Sequence, residues 1–314
     1  MSLKRTIGLI LVITGVILGV AKALGSESQS GDWTIRRSEI PGRVEFSLMD
    51  SRAGRHFHTS SDWPASDFSG LDFSKSGRQQ VHFTIARDAG KFECDGFLHD
   101  GEGAGLFHFI ADPKYSQEMK ALGFERIDED RQWAMAIHDV SLKFAREIKA
   151  QNLQGLDTDK LIAFKIHGVT PEFIAAIRAA GLSISDSDKL IAFRIHGVTP
   201  EMVSSLKQAG YEPDADKLIA MRIHGATPEW VEQLKKQGYE HVGLDKLIAF
   251  RIHGVSPDFI GQLQKLGYSH PEPDQLIAMR IHGVTAGFIS GLQSRGMKNL
   301  TIDRLVSLKI HGMD

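Results

Sequence analysis

Asp188-Lys-Leu-Ile-Ala-Phe-Arg-Ile-His196-Gly-Val-Thr-Pro-Glu-Met-Val-Ser-Ser-Leu206 is one copy of a unit that this chain of 314 residues repeats. The Ile-His pair recurs at His138, His167, His196, His224, His253, His282 and His311, with spacings of 29, 29, 28, 29, 29 and 29. A period near 29 marks a solenoid, in which each unit buries its apolar face against the next. Eight residues before every one of these histidines stands an Asp, from Asp130 to Asp303. That Asp falls in the first turn of a helix, often behind a cap former such as Asp157, Asp186, Asp214 or Thr301. After the histidine, Gly168, Gly197, Gly225, Gly254, Gly283 and Gly312 suit a left-handed C-terminal residue, and the apolar residue after each suits a Schellman turn. Thr170-Pro-Glu, Thr199-Pro-Glu and Thr227-Pro-Glu then open a second helix, which Gly181, Gly210, Gly238, Gly267 and Gly296 close.

The expected architecture over 112–314 is therefore an α-solenoid of about seven helical-hairpin repeats, with Pro113–Gly123 as a leading half-repeat capped by Asp112. A leucine-rich-repeat-like horseshoe is the alternative. Ile162, Phe164 and Ile166 alternate with Ala163, Lys165 and His167 as a strand would, and that family's period also reaches about 29.

Upstream the period changes from helical to two. Val44, Phe46 and Leu48, then Val81, Phe83 and Ile85, Phe92 and Cys94, and Phe107 and Phe109 alternate with polar residues. Turn signals separate them at Pro41-Gly42, Ser51–Arg55, Asp88–Gly90 and Asp100–Gly105. Residues 26–111 thus read as a small antiparallel β domain with a phenylalanine-rich core, and the fold class as α+β. Cys94, the only cysteine, shares the core face with Phe92, which excludes an intramolecular disulfide framework and a cysteine-built zinc site.

Met1–Arg5 is a basic head before the apolar run Ile7–Val20 and Ala21-Lys-Ala23, the parts of a secretory signal peptide. Residues 1–25 are read as that signal or as an N-terminal membrane anchor. Both imply a protein that is exported, periplasmic or secreted, or held to the membrane through this segment alone. Beyond residue 25 the chain has 34 basic against 39 acidic residues, a formal −5, so nucleic acid is not an expected partner.

The run LIAFKIHGVTPEFI resembles repeats that bacterial chains carry behind membrane metallopeptidases of the β-lactam-sensor type, and in stand-alone exported proteins. The likeness covers residues 128–314 strongly and residues 33–123, with VHFTIARDAGKFECDGF, more loosely. The chain has no HExxH, P-loop or GxSxG. The resemblance therefore implies an accessory or sensing role without catalytic residues.

Seven periodic histidines invite a metal, yet equivalent positions of stacked helices stand roughly 8–10 Å apart, too far for neighbours to share an ion with bonds of about 2 Å. The histidines are read as structural, each imidazole bonding at a helix C-terminus, and no metal or cofactor is expected. Two residues before each histidine from the second repeat onward stands a cation: Lys165, Arg194, Arg222, Arg251, Arg280 and Lys309. This ladder is the candidate partner-binding set, for a protein or an anionic polymer. In the β region Asp95, His99, Asp100 and His108 lie near one glycine-rich turn without the spacing of a metal loop or an acid–base pair. The expected function is a non-enzymatic exported interaction or sensing-accessory protein. The alternative is a ligand sensor or enzyme with a pocket in the β domain.

Overall fold

A computed structural model describes residues 29–50 and 58–313. The signal or anchor expected at 1–25 and the turn expected at Ser51–Arg55 lie outside the described residues. Within them, no helix is long and apolar enough to cross a membrane. The chain divides into two compact units, one reaching to Ala86 and including Gly90–Ala111, the other made of Arg87–Ala89 and Asp112 onward.

The first unit is a six-stranded sheet of β1 (Ser30–Arg37), β2 (Arg43–Asp50), β3 (His58–Pro64), β4 (Arg78–Arg87), β5 (Gly90–His99) and β6 (Glu102–Ala111), in the order β3-β2-β1-β6-β5-β4. Antiparallel registers join β1 to both β2 and β6, as in Ile35↔Phe46 and Trp33↔Gly105. Period-two alternation puts Trp33, Ile35, Phe46, Leu48, Phe83, Ile85, Phe92, Cys94, Phe107 and Phe109 on one buried face. That face curls on itself. Phe46 and Phe83 are four strand spacings apart, about 19 Å in a flat sheet, yet their ring centroids are 6.4 Å apart. Trp63 on β3 and Phe92 on β5, also four spacings apart, meet edge to face at 6.3 Å. The edge-to-face contacts of Trp33 with Phe83 and of Phe46 with Phe68 complete an aromatic core.

The second unit holds fourteen helices among its described residues, in two alternating series. The first helices of the repeats are α2 (Glu129–Ile137), α4 (Thr158–His167), α6 (Ser187–His196), α8 (Ala215–His224), α10 (Leu244–His253), α12 (Pro273–Ile281) and α14 (Ile302–Ile310). The second helices are α1 (Pro113–Ala121), α3 (Leu142–Lys149), α5 (Pro171–Ala179), α7 (Pro200–Gln208), α9 (Pro228–Lys235), α11 (Pro257–Lys265) and α13 (Ala286–Ser294). First helices pack on first helices from α2 to α14, and second helices pack likewise from α5 to α13. The architecture is α+β with a helical solenoid.

The caps explain where the helices stop. Asp157, Asp186, Asp214 and Thr301 accept from backbone N–H groups at the starts of α4, α6, α8 and α14. Thr170, Thr199, Thr227, Ser256 and Thr285 do the same for the second helices, and Asp112 for α1. At the C-terminus of α4 the Val169 N–H donates to Phe164 O at 2.8 Å, the long bond of a Schellman turn, with Gly168 at φ 71°. Leu161 and Phe164, and their equivalents such as Leu190 and Phe193, are fully buried. Each such side chain contributes about 1.5–3 kcal/mol by leaving water. The horseshoe alternative is therefore corrected: the segment that alternates like a strand is helix α4. Its alternation is broken by burial, since Phe164 faces the core while Ile166 is 53% exposed.

Candidate functional site

Every boundary between repeats is marked by charged side chains, and they form two rows. At the N-terminal ends of the first helices, Arg131 reaches Asp159 at 3.0 Å, Lys160 reaches Asp188, Lys189 reaches Asp216, Lys217 reaches Asp245 at 3.3 Å, and Lys246 reaches Asp274. Of the Asp residues found eight before a histidine, Asp159, Asp188, Asp216, Asp245 and Asp274 are thus acceptors for the preceding repeat. Gln275 stands where the next lysine would be, and its side chain instead accepts from the Glu272 N–H in a capping box.

At the C-terminal ends lies the ladder of Lys165, Arg194, Arg222, Arg251, Arg280 and Lys309. The Nε of Arg194, Arg222 and Arg251 donates to the carbonyls of His167, His196 and His224 at 3.1, 3.0 and 3.2 Å. Those carbonyls sit in the last turn of the preceding first helix, where acceptors lack an intrahelical donor and a cation meets the negative dipole end. Arg194 also stacks over Phe173, Arg251 over Trp230, Arg280 over Phe259 and Lys309 over Phe288, with 4.9–5.2 Å to the ring centroids. Lys165 lies over Phe144 and 3.5 Å from Asp139. All six cations hold neighbouring repeats together, and Arg194, Arg222 and Arg251 still keep substantial surface in water.

The glycine after the histidine makes room for this arrangement. A Cβ built on Gly197 would lie 2.9 Å from Nη2 of Arg222, and one on Gly225 would lie 2.8 Å from Nη2 of Arg251. These glycines serve both the left-handed turn and the close approach of the next guanidinium.

Each histidine stands at the end of its first helix or directly after it, and the backbone carbonyls of His167, His196 and His224, not their imidazoles, receive the cross-repeat bonds. The rings of His167, His196, His224, His282 and His311 are exposed, and those of His138 and His253 are half-buried. His311 alone among the seven has a described ring bond, from Nδ1 to the Ser307 carbonyl at 2.7 Å. Burial, with Lys165 adding to it, holds the His138 imidazole below its usual pKa. Among the described residues no group of three or more His, Cys, Asp or Glu is gathered as a metal would need.

One feature of the same face was missed in the sequence. Ile166, Ile195, Ile223, Ile252, Ile281 and Ile310, each just before its histidine, are 52–56% exposed. One turn earlier, Ile162, Ile191, Ile219, Ile248, Ile277 and Val306 are partly exposed. On a helix with 100° per residue, Ile166 lies about 140° from buried Leu161, so the signal was present in the spacing. Ile137 of α2 is 7% exposed, so the stripe begins at α4.

In the sheet unit His82 Nδ1 lies 2.8 Å from Asp95 Oδ1, and His99 Nε2 lies 3.4 Å from Asp100 Oδ2. Both pairs are well exposed, and His108 faces Glu93 across the strands. Cys94 is fully buried, and burial pushes its thiol far up, with Asp95 and Glu93 adding to the effect. It is an inert core residue. Two open clefts lie in the solenoid, one lined by Phe124, Arg126, Arg131, Asp157 and Asp159, the other by Leu206, Ala209, Pro228 and Glu232 between α7 and α9.

Compared with protein-family models and with curated proteins, the chain matches none.

Proposed function

We propose that this is a non-enzymatic, exported interaction or sensing-accessory protein whose solenoid binds a protein or polymer partner along the first-helix face. The observation that carries the reading is the isoleucine stripe. Six repeats in succession hold a large apolar side chain in water at the same position, whereas apolar residues on a soluble surface are ordinarily scattered. The exposed parts of Arg194, Arg222 and Arg251 beside the stripe add positive charge for orientation. The basic head, apolar run and Ala-x-Ala of residues 1–25 support export, and the resemblance of the repeats to those of exported bacterial chains supports an accessory role.

The test is crosslinking capture in the producing cells, comparing the natural chain with the triple variant I195E/I223E/I252E. These positions are solvent-facing, so the variant should keep the helical content and unfolding midpoint of the natural chain while capture falls. Unchanged capture, or recovery of the chain as a full-length soluble cytosolic form, argues against the reading.

A further inference from the structure

The stripe has a length, a spacing and a charge balance, and together these select its occupant. We propose that the first-helix face of the solenoid pairs with the same face of a second copy of this chain. The inference rests on the reading of that face as a binding surface and names its partner.

Area comes first. Six isoleucines slightly more than half exposed, with the six partly exposed residues one turn earlier, present an apolar band on the order of 800 Å². That matches the area each partner contributes to a standard-size interface, about 800 Å². It exceeds the roughly 300–600 Å² of the largest patch on a typical monomer.

Spacing is the second argument. Successive rungs are set by the packing of α4 on α6, α6 on α8, and onward to α14. A ligand of any other kind must match that spacing through its own structure over six rungs. A second copy matches it by construction, because a two-fold axis across the stripe sets Ile223 against Ile252, Ile195 against Ile281 and Ile166 against Ile310.

Charge is the third. Residues 112–314 carry 25 Lys and Arg against 26 Asp and Glu, so two copies meet without a repulsive field. In the row at the N-terminal ends of the first helices, Lys160, Lys189, Lys217 and Lys246 are neutralised by the aspartates of the next repeat.

Sedimentation equilibrium of the full chain as recovered from producing cells, beside I195E/I223E/I252E carrying the same N-terminus, tests the pairing. The natural chain is expected to be a dimer in the micromolar range. The variant is expected to be monomeric there with unchanged circular dichroism, a loss of affinity of more than about a hundredfold. Should the triple variant fail to fold, the single variants Ile223→Ser and Ile252→Ser supply the comparison, since both positions lie at the centre of the paired stripe. A natural chain that stays monomeric throughout this range, or dimers equally strong in natural chain and variants, overturns the pairing. If the natural chain is monomeric but the variant still loses crosslinking capture, the pairing falls and the reading of the face as a binding surface stands. If capture is also unchanged, both fall.

Discussion

The sheet unit and the solenoid bury their cores in opposite ways. In the sheet, Phe46 touches Trp63 on the neighbouring strand, Phe68 just beyond it, and Phe83, which only the curl of the sheet brings within reach. In the solenoid, Phe193 occupies a place that Phe164 and Phe250 occupy one repeat before and two repeats after. The sheet's residues are irreplaceable in position, whereas the solenoid's are copies, stabilised by nearest neighbours. The same loss should therefore spread differently in the two units.

The largest effect is expected for Phe46→Ala, at about 3–5 kcal/mol. That is a large part of the roughly 5–15 kcal/mol that holds a domain. Denaturant unfolding followed by tryptophan fluorescence should show the sheet transition move well below that of the helices. A shift of under about 1 kcal/mol would mean that the curled core is not cooperative. Phe193→Ala removes a side chain of the same size, with an intrinsic cost in the same range of about 3–5 kcal/mol. Amide exchange should accelerate first in α4, α6 and α8, and fade in repeats further away. Acceleration of equal size through α14 would falsify the nearest-neighbour picture.

A smaller effect separates the two duties of the repeat glycine. Gly197→Ala adds a Cβ 2.9 Å from the Arg222 guanidinium at φ 71°, whereas Gly283→Ala, at φ 73°, meets only the Lys309 stem at 3.9 Å. Both should lose about 1–2 kcal/mol for the left-handed backbone, with a further loss only at Gly197. Equal losses, read from thermal unfolding, would show that the arginine simply moves aside.

The smallest effect is electrostatic. His138 has its pKa held down by burial and then by Lys165, so the folded state resists the proton that the unfolded chain accepts near pH 6.5. Its contribution is intact above that pH and is lost as pH falls toward the depressed folded value. His138→Gln should reduce the slope of stability against pH below 6.5. An unchanged slope would place the pH sensitivity on other groups.

How legible all this was depends on whether a feature repeats. The caps Asp157, Thr170 and Gly168 act on backbone groups a few residues away, so their roles were readable directly. The strand β3 was not readable: His58–Pro64 is polar with only Trp63 buried, and it pairs as an edge against β2. The Arg194 bond to the His167 carbonyl spans 27 residues and involves a backbone atom that every residue carries. No residue type announces such an acceptor. The ladder of cations was visible, but its acceptors were not, so its first use in the fold had to come from the structure. Ile166 illustrates the converse, because its angle on the helix marked it as outward although its chemistry suggested core.

The two charged rows also have a mechanical meaning. From α2 to α10 the cation near the start of the first helix reaches forward to the next repeat, as Lys160 does to Asp188, while from α4 onward the one near the end reaches back, as Arg194 does to His167. Between α4 and α6 the two fastenings lie six to seven residues apart along each helix, about 9–11 Å at 1.5 Å per residue. Forces applied that far apart act as a couple, so each joint opposes rotation of one repeat against its neighbour as well as separation. Torsional stiffness of this kind keeps equivalent side chains aligned from rung to rung, which any surface built by repetition requires.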